Sequence, residues 1–159
     1  MENDLHNPTK SLKLIGLEMY LEEFVNLYNK RSLPKVLMLS GEKGIGKFTL
    51  VNHLLNYIFH EESYDMKNRL IDKNSPTFNR IINNSFSNVI YLKNFENNSL
   101  KIEDIRKLKS KLFKSTLEVG PRFIVLDDVE FLNNNCINAL LKIIEEPTRT
   151  NFFILINNK

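Results

Sequence analysis

The 159-residue sequence predicts an α/β fold built on a parallel β-sheet, and three observations carry that prediction. Four short apolar runs are continuous rather than alternating, as strands covered on both faces are. The segments between them place apolar residues at helical spacing. A glycine-rich stretch follows the first run and leads directly into a helical segment, giving the order strand, loop, helix.

Leu17, Leu21, Phe24, Val25 and Tyr28 form the first helical stripe. Val36-Leu37-Met38-Leu39 is the first predicted strand, and Ser40-Gly41 ends it. Leu50, Leu54, Leu55 and Ile58 mark a second helix after the glycine-rich loop. The polar stretch Glu61–Asn88 has the weakest pattern, and only one short helix is predicted there, around Thr77–Ile82. Val89-Ile90-Tyr91-Leu92 is the second strand, stopping at Lys93-Asn94. Ile102, Ile105, Leu108, Leu112 and Phe113 form a third helix. Ser99 is its predicted N-cap, and Glu103 and Asp104 in the first turn favour the helix dipole. Phe123-Ile124-Val125-Leu126 is the third strand and ends in Asp127-Asp128. Ile137, Leu140, Leu141 and Ile144 form a fourth helix, which Pro147 closes because proline cannot continue it. Phe152-Phe153-Ile154-Leu155-Ile156 is the fourth strand. No internal repeat or low-complexity linker interrupts the chain, so residues 1–159 are read as one domain with four strands.

Composition narrows the function classes. Twenty-two Lys+Arg against 19 Asp+Glu give a formal charge of +3, with no long basic block to demand a nucleic-acid partner. A hydrophobic content of 42% is too high for a disordered chain. The single cysteine, Cys136, excludes an intramolecular disulfide and any multi-cysteine zinc site, and reads as a small, partly buried packing residue. His6, His53 and His60 lack metal-ligand spacing. No apolar run approaches the ~20 residues of a membrane-spanning helix, and the N-terminus lacks a signal-peptide pattern, so a cytoplasmic location with no membrane partner is expected.

The chemistry concentrates in Gly41-Glu42-Lys43-Gly44-Ile45-Gly46-Lys47, a GxxxxGK loop in its required setting. Glycines at 41, 44 and 46 let successive backbone N–H groups turn toward one concavity that suits phosphate oxygens. The helix N-terminus adds partial positive charge, and Lys47 reaches outer phosphates. The candidate nucleotide-contacting residues are therefore Gly41, Gly44, Ile45, Gly46, Lys47, Phe48 and Thr49. The pattern then departs from a hydrolytic site. Where a hydroxyl is needed to ligate Mg²⁺ stands Phe48, whose phenyl ring offers no lone pair. Thr49 lies about 100° further round the helix and does not substitute. Weak ATP binding with no firm magnesium site is the expectation.

Asp127 and Asp128, at the end of an apolar strand, are the degenerate counterpart of a catalytic acid pair. Asp127 suits a metal-holding role. Asp128 is one methylene shorter than the glutamate base usual at such a position, and a displacement of about 1 Å can cost ~100-fold in rate. Read without the glycine loop, both are solvated loop acids. Asn157 and Asn158 follow the last strand, where an amide can touch a terminal phosphate or its attacking water, or simply end the strand. Lys101, Arg106, Lys107, Lys109, Lys111 and Lys114 make the third helix basic on one side, read first as a solvated face and second as a surface for DNA phosphates. Lys142 falls on the fourth helix.

With these motifs in place, the chain resembles the AAA+ bacterial clamp-loader subunits of DNA polymerase III, and most closely their delta-prime branch. Asn138-Ala139-Leu140-Leu141-Lys142-Ile143-Ile144-Glu145-Glu146-Pro147 is similar to the family's NALLKxLEEP signature. Phe152–Asn157 corresponds to the sensor-1 strand, Leu14-Ile15-Gly16 to a box near the nucleotide base, and Ile102–Leu108 to an I-x-x-I-R-x-L helix. The resemblance implies a P-loop AAA+ three-layer fold and a component of the polymerase holoenzyme that loads the sliding clamp onto primed DNA. It implies partners among gamma/tau, delta and the clamp itself. Phe48 and Asp128 fit a non-hydrolysing stator, with an active ATPase resembling gamma/tau as the alternative. No cysteine occurs in Glu61–Asn88, so the zinc module of many relatives is not expected. The sequence stops after the sensor-1 strand, so the arginine finger, lid and collar of the family are not expected within it. The family's fifth strand lies beside the phosphate-loop strand, so Val36–Leu39 is predicted to sit at a sheet edge.

Overall fold

The computed structural model describes residues 10–93, 100–113, 119–145 and 150–159. Ser99, Lys114, Glu146, Pro147 and His6 lie outside the described residues. The chain divides into two compact units, Met1–Leu33 with Gly44–Phe86, and Pro34–Lys43 with Ser87–Lys159.

The first unit holds α1 (Glu18–Asn29), and the second holds β1 (Val36–Ser40). The chain then returns to the first unit for α2 (Lys47–Phe59), β2 (Tyr64–Asp65), β3 (Leu70–Ile71) and α3 (Pro76–Ile82). The remaining elements belong to the second unit: β4 (Val89–Lys93), α4 (Ile102–Leu112), β5 (Arg122–Asp127), α5 (Asn134–Ile144) and β6 (Asn151–Asn157).

In the first unit α1 packs on α2, and the stripes read from the sequence supply the buried residues Leu21, Phe24 and Val25 on α1 and Leu50, Leu54 and Leu55 on α2. Apolar side chains removed from water on both helices stabilise such a pair by roughly 25 cal/mol per Å². Polar residues of α2 are also buried, and they are satisfied. His53 lies 2.7 Å through Nδ1 from the Tyr64 hydroxyl and 3.2 Å through Nε2 from the Ser11 carbonyl. Since a carbonyl only accepts, Nε2 carries the proton and Nδ1 accepts from Tyr64. The short hairpin β2–β3 was not foreseen. Its connection contains no glycine; Asp65 instead accepts from the Asn68 backbone N–H at 3.0 Å and side-chain amide at 2.7 Å, and Arg69 takes φ 52°. The segment before α1 adds to it: Ile71 N–H donates to the Leu12 carbonyl at 2.9 Å and Leu14 N–H to the Arg69 carbonyl at 3.1 Å. The predicted short helix is α3, one residue longer, with Pro76 at its start and the Ser75 hydroxyl accepting from Phe78 N–H.

The second unit contains a four-stranded sheet in the order β1-β6-β5-β4, and every pairing is parallel. All six residues of β5 are buried, which is why that strand reads as an unbroken apolar run. Ile105, Leu108 and Leu112 of α4 and Cys136, Leu140 and Ile143 of α5 form one core with Ile124, Leu126, Phe153 and Leu155 of the sheet. β1 is an edge strand, as expected: among the described residues it pairs with β6 alone.

Two expectations need correction. The N-cap of α4 is Lys101 rather than Ser99: Lys101 N–H donates to the Asp104 carboxylate at 3.0 Å, and Asp104 N–H donates to the Lys101 carbonyl at 2.9 Å. An acid three residues into the helix supplies the closing acceptor, so no hydroxyl is required. Cys136 is fully buried rather than partly so, and its thiol donates to the Leu100 carbonyl at 3.2 Å. Burial pushes that thiol's pKa up, the reverse of what a nucleophile requires.

Candidate functional site

The glycine-rich loop occupies the turn from β1 into α2. Gly44 and Gly46 take φ 93° and 96°, the left-handed region that only glycine enters freely. A Cβ at Gly44 would meet nothing within 4 Å, so backbone conformation and not crowding calls for glycine there. At Gly46 a Cβ would come within 3.3 Å of Leu17 Cδ1 as well. Gly46 is the N-cap of α2, and no acidic residue occupies the first turn to compete with an anion. Lys47 begins the helix and is buried, Phe48 and Thr49 are half-buried, and Ile45 is exposed. This stretch thus carries two left-handed glycines directly before the N-terminus of α2.

The acids lie in the sheet unit. Parallel register sets Lys93 opposite Asp127 and Ser40 opposite Asn157. Lys93 Nζ consequently stands 3.7 Å from Asp127 Oδ2. Asp128 turns the chain with φ 56°, a left-handed conformation aspartate tolerates better than most residues, and its N–H donates to Asp127 Oδ1 at 3.0 Å. Both carboxylates receive the Asn158 side-chain amide, at 3.2 Å for Asp127 and 2.8 Å for Asp128. Asn158 N–H also donates to Glu130 at 3.2 Å, and Lys43 Nζ lies 4.0 Å from Asp128. Burial raises the pKa of Asp127, as does the neighbouring charge of Asp128, while Lys93 and Asn158 pull it back.

Of the two asparagines at the end of the last strand, Asn158 touches the acids. Asn157 closes β6, and its side-chain carbonyl accepts from Lys159 N–H at 3.2 Å. Lys93 was visible in the sequence only as a polar stop to its strand. Its place beside Asp127 depends on strand order and register, which hydrophobicity does not encode.

Phe48 brings no side-chain oxygen to the position after Lys47, and the Asp127 and Asp128 carboxylates each stand within 4.0 Å of a lysine ammonium.

A family profile described as DNA polymerase III, delta subunit, matches residues 16–159. The chain belongs to this family. Its relatives include the delta-prime subunit of DNA polymerase III from Buchnera aphidicola of Schizaphis graminum, 26% identical over 145 residues, a match covering 86% of this chain and 40% of the relative. Another is the tau subunit from Bacillus subtilis, 25% identical over 151 residues, covering 93% of this chain and 25% of the relative. Among solved structures, a DNA polymerase III gamma subunit-related protein from Thermotoga maritima has the same fold, with a TM-score of 0.60 and 21% identity over 86% of this chain and 38% of that one. This delta-subunit family member thus has an α/β fold and is similar to delta-prime subunits, and it spans less than half the length of these relatives. No described helix is long and apolar enough to cross a membrane.

Proposed function

We propose that this delta-prime-like chain acts in the clamp loader as a non-hydrolysing stator, helping to place the sliding clamp on primed DNA beside gamma/tau and delta subunits. Its glycine loop holds a nucleotide triphosphate weakly, through Gly44, Gly46 and Lys47, and it does not turn the nucleotide over. The observation that carries this reading is Phe48. The loop keeps the left-handed glycines that shape it and lacks the hydroxyl that would anchor a metal on the phosphates. Asp127 and Asp128, with Asn157 at the end of β6, then serve as the remains of an acid and sensor set.

Calorimetric titration with ATP, with and without Mg²⁺, tests the proposal. Affinity in the millimolar-to-micromolar range, about −4 to −8 kcal/mol, should be little altered by the metal. Steady hydrolysis by the purified chain, abolished by Lys47→Ala, would overturn the stator reading in favour of an active ATPase resembling gamma/tau.

A further inference from the structure

We propose that Lys93 and Lys43 are tethered counter-ions of the acid pair, filling with ammonium groups the role a divalent cation plays beside paired carboxylates. The proposal rests on the reading that this chain has given up metal-assisted hydrolysis. It adds what replaced the metal.

Asp127 and Asp128 are two nearly buried acids. The side chains of Asp127 and Asp128 are only 9% and 6% exposed, and they are adjacent in sequence and joined through one amide. Two carboxylates withdrawn from water repel each other and need opposite charge or protonation. Every acceptor oxygen with an identified partner faces a hydrogen-bond donor or a cation. Asp127 Oδ1 takes the Asp128 N–H and the Asn158 amide, and Asp127 Oδ2 faces Lys93. Asp128 Oδ1 takes Asn158 and faces Lys43 at 4.0 Å. Both lysine side chains are about half or more exposed, so they approach the pair from the solvent side, the direction from which an aqueous ion would come. Their placement is built in. Lys93 is fixed opposite Asp127 by the β4–β5 register, and Lys43 belongs to the loop that follows β1. An incoming cation must displace an ammonium that is already attached to the chain, at high effective concentration.

The test uses ¹⁵N-labelled chain titrated with MnCl₂ and no nucleotide, so its result does not depend on whether the glycine loop binds ATP. Paramagnetic broadening of the Asn158 side-chain amide and the Asp128 backbone amide reports Mn²⁺ at the pair. The wild-type chain should show no selective broadening of these signals. The Lys43→Met/Lys93→Met double variant should show it, with Mn²⁺ binding at least about ten-fold tighter. Lys93→Arg, which keeps the charge, should behave as wild type. If the double variant does not fold, Lys93→Met alone should show the intermediate effect. Selective broadening in the wild-type chain, or a folded lysine-to-methionine variant as resistant to Mn²⁺ as wild type, would overturn the proposal.

Discussion

His53 shows how much one buried side chain can decide. Its ring is fully buried and joins three segments: Ser11 before α1, α2 itself, and Tyr64 of the hairpin. Burial lowers its pKa to about 4, only partly opposed by the Ser11 carbonyl. In the unfolded chain histidine titrates near 6.5, so the unfolded state binds the extra proton first as pH falls. The stability tied to neutral His53 is complete above about pH 6.5 and is lost progressively down to about pH 4, by on the order of 3 kcal/mol. Asp127 works in the opposite sense, since its raised pKa favours the protonated native form, so the histidine contribution must be isolated by substitution. Urea midpoints at pH 7.5 and pH 5 should differ clearly in the wild-type chain and much less in His53→Gln. An unchanged difference in that variant would assign the pH dependence elsewhere. In the proposed function Phe48 decides chemistry in the same single-residue way. Phe48→Ser in the Lys43→Met/Lys93→Met background returns a hydroxyl after Lys47 with the two ammonium groups removed. ATP affinity measured by calorimetry should then rise with Mg²⁺ by roughly ten-fold, where the wild-type value should hardly move.

At the level of elements, legibility in the sequence followed the mechanism that forms each one. Strands β1, β4, β5 and β6 and helices α1, α2, α4 and α5 are made by apolar burial, and burial leaves a periodic trace that can be read directly. The hairpin β2–β3 is two residues on each side and turns on an Asp65–Asn68 interaction with Arg69 in a left-handed conformation, so it offered neither periodicity nor glycine. The start of α4 was misread for a related reason: a reciprocal Lys101–Asp104 arrangement does what a capping hydroxyl does elsewhere. In the candidate site, the glycine loop and the acids were legible as local motifs, whereas the approach of Lys93 and Asn158 to the acids depends on parallel strand order and register. The capping arrangement can be tested on α4 and α5 together. Asp104→Ala removes the acceptor for Lys101 N–H, and Asn133→Ala removes the acceptor that holds Cys136 N–H at 2.9 Å. Each should lower stability by about 1 kcal/mol in urea unfolding, and the two should add, since they act on different helices. A loss below a few tenths for Asp104→Ala would mean that Lys101 does not begin the helix.

For the molecule as a whole, the sheet's open side is the feature with the broadest consequence. β1 carries Val36, Leu37, Met38 and Leu39 without a proline or a charge among them, and among the described residues nothing pairs with the side of its backbone facing away from β6. Met38 is 57% exposed on this strand. A row of free N–H and C=O groups flanked by apolar side chains is a template for another strand, and folded proteins guard such edges with lysine, proline or a bulge. None of these guards lies within β1. Purified as residues 1–159 alone, the chain should therefore self-associate as its concentration rises, through pairing at β1. Met38→Lys places a charge on the exposed position while leaving the buried side chains of the sheet untouched, so stability should change by no more than about 0.5 kcal/mol. Sedimentation velocity across a concentration series provides the measurement: the wild-type coefficient should climb with concentration, and that of Met38→Lys should stay flat. If both climb alike while the variant remains folded, association runs through another surface, and the exposed Ile137 and Leu141 of α5 are the next face to charge.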